Sequence, residues 1–179
     1  CPFSDDSPNE TELGAPASQT RPPRFDQLGA YTRTIAGRIT DADALDGSSS
    51  GGLTSWLAGE LIRRDLVDEV ISVGPEHGNP NELFAYASHD REGLLATRKS
   101  HYTAASLSDA LHRIAEADGR FAIIGVPCVI RGVRALCRER PEFAHRVRYV
   151  LALVCGHAKT PAYAESLAWQ VGVEPEVLD

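Results

Sequence analysis

Two cysteines have the placement that redox or metal chemistry requires. Cys128 follows the apolar run Phe121–Val126 and a proline, and Cys155 directly follows the apolar run Val147–Val154. If both runs are buried strands and parallel neighbours, both thiols emerge at the carboxyl edge of the sheet, where open α/β folds hold ligands. Pro127 suits the first turn of a helix, so Cys128 meets free backbone N–H groups and a positive dipole end, which favour a thiolate. Two soft thiolates there suit an iron–sulfur centre or another soft metal. The alternative is a pair of small buried hydrophobes. Cys137, nine residues beyond Cys128 on the same expected helix, falls on the opposite face at about 100° per residue and is expected to be a core thiol.

Two further segments can carry chemistry. Gly47-Ser48-Ser49-Ser50-Gly51-Gly52 runs directly into LTSWLAGELIRRDL, whose Leu53, Trp56, Leu57 and Leu61 form one apolar helical stripe. A small-residue loop at such a helix start, with Ser49 or Ser50 as its cap, suits a phosphate or a flavin edge. It meets neither the P-loop nor the dinucleotide fingerprint, and the bland reading is a loop capping a helix. Lys99-Ser100-His101-Tyr102 groups a cation, a hydroxyl, an imidazole and a phenol, against the simpler reading of an exposed polar turn. His157, beside Cys155, is a candidate proton donor or a surface histidine. His77, His89, His112 and His145 show no partner pattern and are expected to face solvent.

These segments are positioned by an alternation of strand and helix patterns. Residues 1–24 read as a polar lead-in with little core of its own. Strands are expected at Tyr31–Ile39, Val67–Val73, Leu83–Ala87, Phe121–Val126 and Val147–Val154, the last two buried. Helices are expected after the serine loop, over SLSDALHRIAEAD with Ser106 as cap and Asp109 in its capping box, over PCVIRGVRALCRER, and over KTPAYAESLAWQVG ending at Gly172. Strand–helix–strand–helix order in the second half implies parallel pairing. The fold class is α/β, a mixed and largely parallel sheet with flanking helices.

Composition bounds the function. Of 179 residues, 42% are hydrophobic and 24% charged, ordinary for a soluble domain, and the net charge of −7 argues against nucleic acid. No apolar run approaches the roughly 20 residues of a membrane span, so a cytoplasmic protein is expected. The four cysteines form neither a disulfide framework nor a CxxC zinc pattern. The chain opens at Cys1-Pro2 and contains no Met, which reads as a piece of a longer protein.

In order, CPFSDDSPNE, GSSSGGLTSWLAGELIRRDLVDEVISVG, KSHY, GVPCVIRGVRAL and LVCGH resemble the beta-subunit family of coenzyme F-420 hydrogenases and dehydrogenases. The resemblance implies FAD and iron–sulfur clusters, and electron or hydride transfer with a small-molecule redox substrate, coenzyme F-420 itself being one candidate. It implies that Cys1 closes a ferredoxin-like cluster motif begun upstream. Ser48, Ser49, Ser50, Gly51, Gly52, Lys99, Ser100 and Tyr102 would then line the flavin, with Lys99 stabilising negative charge on the reduced ring. Cys128 and Cys155 would lie by that flavin and, with Cys1, serve as metal ligands, although these three cannot complete a four-ligand set. The implied organisation is a lead-in over 1–24, an N-terminal α/β part over 25–98, and the start of a C-terminal part over 99–179. A partner redox subunit and self-association are both compatible. Two other readings stand beside this one: a non-enzymatic electron relay docking on a catalytic partner, and a thiol enzyme using Cys128 with His157 as base.

Overall fold

In the computed structural model the described residues are 4–14, 24–25, 29–75, 84–101, 105–156 and 159–174. Cys1, His77, Tyr102 and His157 lie outside them. Within the expected lead-in, α1 (Glu10–Gly14) buries Leu13 and receives a hydrogen bond from Arg134 on the Leu13 carbonyl at 2.5 Å. That part of the lead-in therefore does have a core contact. β1 (Arg24–Phe25) and β2 (Gly29–Ala30) form a two-residue antiparallel ladder.

The expected strand over 31–39 does not form. Among the described residues the segment pairs with no other strand, and it is exposed until Ile39, whose N–H donates to the Gly51 carbonyl at 3.0 Å. β-branched residues favour a strand only where a neighbouring strand offers a ladder, and Ile35, 75% exposed, has no surface to bury against. A short helix missed in the sequence, α2 (Ala42–Asp46), follows. Asp41 caps it by accepting from the Ala44 N–H at 2.8 Å.

α3 (Leu53–Arg63) then leads to β3 (Glu69–Pro75) and antiparallel β4 (Phe84–His89). α4 (Arg91–Ala96), capped by Asp90, and α5 (Ser108–Glu116) connect to β5 (Phe121–Gly125). Ser106 accepts the Ser108 N–H, while Leu107 occupies the cap position proper. α6 (Pro127–Glu139) carries Pro127 in its first turn. α7 (Pro141–Arg146) delivers the chain to β6 (Val147–Ala152), and α8 (Pro161–Gln170) follows. Val171 is the C-cap of α8. Gly172 sits one residue later at φ +77°, a left-handed conformation that favours glycine.

The four-stranded sheet runs β4-β3-β5-β6, with β3, β5 and β6 parallel. Every residue of β5 is buried, and its alternation explains the three layers. Phe121 and Ile123 face Ala110, Ile114, Ile130, Val133 and Phe143 of α5, α6 and α7. Ala122 and Ile124 face Ala58, Leu61 and Leu94 of α3 and α4. Truncating such a side chain, as in Phe121→Ala, costs about 3–5 kcal/mol.

Two expected burial patterns differ. Among the described residues β6 has β5 as its single neighbour, so Arg148, Tyr149 and Ala152 are exposed rather than buried. On α3, fully buried Ala58 and Leu61 form the packed line, the small Ala58 permitting close approach. Leu53, Trp56 and Leu57 are 41–51% exposed, so of the expected stripe Leu61 alone lies on the buried face.

Candidate functional site

Because β3, β5 and β6 run parallel, they end on one edge, and the candidate residues gather there. The Leu153 N–H donates to the Gly125 carbonyl at 2.9 Å, joining the ends of β6 and β5. Cys128 follows Gly125 by three residues and Cys155 follows Leu153 by two. Both are free thiols, Cys128 partly buried in the first turn of α6 and Cys155 exposed. Cys137 packs against the core cluster on the α5–α7 side, and its burial pushes the thiol pKa up.

The serine loop and the Lys99–His101 segment meet. Ser100 contacts Ser49 twice, through its backbone N–H at 3.0 Å and its hydroxyl at 2.9 Å, and Lys99 Nζ donates to the Asp46 carbonyl at 3.0 Å. Thr97, two residues before Lys99, packs against Gly74 near the carboxyl end of β3. The same segment carries two orphaned polar atoms, Arg98 Nε and His101 Nε2, both buried without a hydrogen-bond partner. The His101 ring lies 4.1 Å from that of Phe84, and burial lowers its pKa.

Inside the loop, Ser48 Oγ donates to the Ala44 carbonyl at 2.7 Å. Ser50 and Gly52 take positive φ angles of 54° and 70°. The expected serine cap is not observed: Gly52 holds the cap position of α3 and no side chain caps it. A Cβ there would meet Ile39 Cδ1 at 2.6 Å, so the loop can hug Ile39 only with glycine.

Two residues at this edge were not singled out in the sequence. Tyr86, 6% exposed, brings its hydroxyl beneath the β5–α6 turn, 3.1 Å from where a Gly125 Cβ would stand. Burial and the neighbouring Cys128 raise its pKa, while the Val126 backbone N–H pulls it down. Its only sequence signal is an aromatic between two alanines in FAYASH. His89, expected in solvent, is partly buried. Its Nε2 is shielded from solvent and has no hydrogen-bond partner, and its ring packs against Gly74 and Gly93. Burial lowers its pKa, against the Ser72 backbone and Asp90. His112 and His145 are exposed, as expected.

Among the described residues no three His, Cys, Asp or Glu side chains converge as metal ligands. No described helix is long and apolar enough to cross a membrane.

Comparison with known proteins is consistent with this geometry. Residues 34–112 match the family model for the coenzyme F420 hydrogenase/dehydrogenase beta subunit N-term, and residues 118–179 the model for its C terminus. A coenzyme F420-dependent sulfite reductase of Methanocaldococcus jannaschii is 34% identical over 93 residues, 51% of this chain and 14% of that protein. One of the subunits that make up an F(420)H(2) dehydrogenase of Methanosarcina mazei is 26% identical over 110 residues, 61% of this chain and 30% of that one. The chain thus spans less than a third of either relative. A chain of the F420-reducing [NiFe] hydrogenase complex from Methanosarcina barkeri, in a xenon-derivatised crystal, superposes with a TM-score of 0.63 at 20% identity. The match covers 73% of this chain and 46% of that one, and shows the shared fold.

Proposed function

Because this chain belongs to the coenzyme F420 hydrogenase/dehydrogenase beta-subunit family, we propose that it is a flavin-binding oxidoreductase subunit. It passes electrons or hydride between FAD and a small-molecule redox substrate, a deazaflavin of the F420 type being the leading candidate. The observation that carries this reading is the double contact of Ser100 with Ser49, which makes one surface from two segments 51 residues apart.

The donor set at that surface suits a flavin. Lys99, the Ser49 hydroxyl, the backbone N–H groups of Ser50 and Gly51, and the orphaned His101 Nε2 supply hydrogen-bond donors and a cation. Ser48, Gly52 and Ser100, whose own backbone donors are spent on Leu45 and Ser49, hold the surface in shape. Lys99 would offset the negative charge that reduction adds to a bound flavin, and its bond to the Asp46 carbonyl fixes it to the loop. His101, stacked on Phe84 and kept neutral by burial, can accept or donate one proton. When bound, the flavin would supply the two-electron chemistry; this chain supplies position and charge. Tyr102 and His157 keep, as part of this proposal, the flavin-contacting and proton-donating roles that the resemblance implies.

The described residues do not fit an iron–sulfur cluster. Cys137 is turned to the core, and Cys128 and Cys155 alone are two ligands. The multisubunit assemblies to which the M. mazei and M. barkeri relatives belong support a redox partner chain here too.

Anaerobic titration with FAD tests the reading. Binding that quenches flavin fluorescence and weakens about tenfold or more in Lys99→Ala supports it. A chain that leaves free FAD unchanged sinks it.

A further inference from the structure

Arg98 contrasts with the partly buried Arg120 and Arg146. Its guanidinium lies against Gly47, where a Cβ would meet Nη2 at 2.2 Å and Cζ at 2.5 Å. Its Nε is buried without a partner, and among the described residues the group makes no hydrogen bond or ion pair. Two other partly buried guanidinium groups have acceptors: Arg120 on Asp65 and Asp68, Arg146 on the Ala115 carbonyl. In a chain of net charge −7 carboxylates are plentiful, yet among the described residues none pairs with Arg98. A cation partly removed from water with no counter-charge is unfavourable, unless an anion arrives to complete it. Lys99 follows directly, tied to the same turn through Asp46.

We propose that Arg98, seated over Gly47 beside Lys99, binds the phosphate group of the ligand held at this surface. A guanidinium suits the role because its planar N–H fork matches phosphate oxygens in pairs. The identity of the ligand rests on the flavin reading, whereas the anion preference does not. The phosphate could be the pyrophosphate of FAD or the phosphodiester of a deazaflavin substrate, and one set of titrations separates them.

Gly47 supplies a second, independent variant. Its backbone is ordinary right-handed (φ −72°, ψ −4°), so alanine fits the chain, and only the far end of the Arg98 side chain must move. Gly47→Ala thus displaces the guanidinium without deleting it.

The full chain, its Arg98→Gln form and its Gly47→Ala form are titrated calorimetrically with inorganic pyrophosphate, FAD, FMN and riboflavin, and melted without ligand. Both variants should weaken pyrophosphate about tenfold or more, leave any riboflavin binding unchanged, and melt no lower than the parent. A parent that does not bind pyrophosphate, or variants that bind it equally well, overturns the proposal. So does a parallel loss of riboflavin, or a lowered melting point in both variants, which would make Arg98 structural. Arg98-dependent pyrophosphate binding with no flavin bound upholds the anion site while the flavin reading fails. Loss of pyrophosphate with FAD affinity intact upholds it too, and assigns the phosphate to the substrate.

Discussion

Ser100 reaches Ser49 through two bonds, its backbone N–H at 3.0 Å and its hydroxyl at 2.9 Å, across 51 residues of chain. Both converge on one oxygen, Ser49 Oγ. Ser49→Ala removes that oxygen and both bonds together. Each net hydrogen bond contributes about 0.5–1.5 kcal/mol, and solvent exposure places these at the lower end. Urea denaturation should show a loss of about 1 kcal/mol for Ser49→Ala and less for Ser100→Ala, which keeps the backbone bond. The double variant should cost no more than Ser49→Ala alone, because the two residues share one interaction. Strict additivity would mean the contact is not formed in solution.

Gly52→Ala tests the loop geometry. At φ +70° an L-residue is strained, and the added Cβ would stand 2.6 Å from Ile39 Cδ1, whose side chain is buried. The strain alone costs about 1–2 kcal/mol, and displacing Ile39 adds to it. The urea midpoint should fall clearly, and FAD affinity with it. An unchanged midpoint would mean that the loop relaxes without cost.

How much of this was legible beforehand depended on whether the cause was local. The all-apolar run FAIIG specifies a strand buried on both faces, and Pro127 specifies where the next helix starts, because both signals act within a few residues. The Tyr31–Ile39 strand failed, and β6 proved exposed, because pairing partners and edge position are properties of the sheet. At the site, Ser49, Lys99 and Ser100 were legible as residue types. That Lys99 and Ser100 dock on the serine loop was not, since no local pattern encodes a contact over 51 residues. Tyr86 and Arg98 were missed for the same reason. Their significance lies in what they touch.

Arg120 bonds both carboxylates at the end of α3 and the start of β3, and it holds the Asp68 carboxyl at about 2, well below its ordinary 3.8. A folded value below the unfolded one stabilises the fold above pH 3.8 and ceases to do so as pH falls toward about 2. Asp68→Asn should therefore be less stable than the parent at neutral pH, with the difference closing between those values. Urea midpoints taken across that range check it. A difference that persisted below pH 2 would point to lost packing instead of lost charge.

The three described cysteines should differ in reactivity. Cys155 is exposed, whereas Cys137 is partly buried with its pKa raised, so less of it is thiolate near neutrality. Iodoacetamide labelling followed by peptide mass spectrometry should modify Cys155 well before Cys137. Saturating FAD should slow Cys128 selectively if the flavin lies against the α6 start. Equal protection of all three thiols would instead indicate general tightening of the fold.

His89 and His101 both have pKa values below the usual 6.5 because burial disfavours their charged forms. Below that pH the unfolded chain takes up protons that the folded chain refuses, so stability falls as pH drops from 6.5 toward the folded values. Replacing either ring by glutamine removes its share of this dependence. For His89→Gln and His101→Gln, plots of urea midpoint against pH should be flatter than the parent's between about pH 5 and 6.5. Bound FAD should steepen the dependence contributed by His101 if the flavin excludes water from Nε2, and leave that of His89 unchanged, since the His89 ring packs against Gly74 and Gly93. A steeper slope in His101→Gln than in the parent would reverse the assigned direction of its shift.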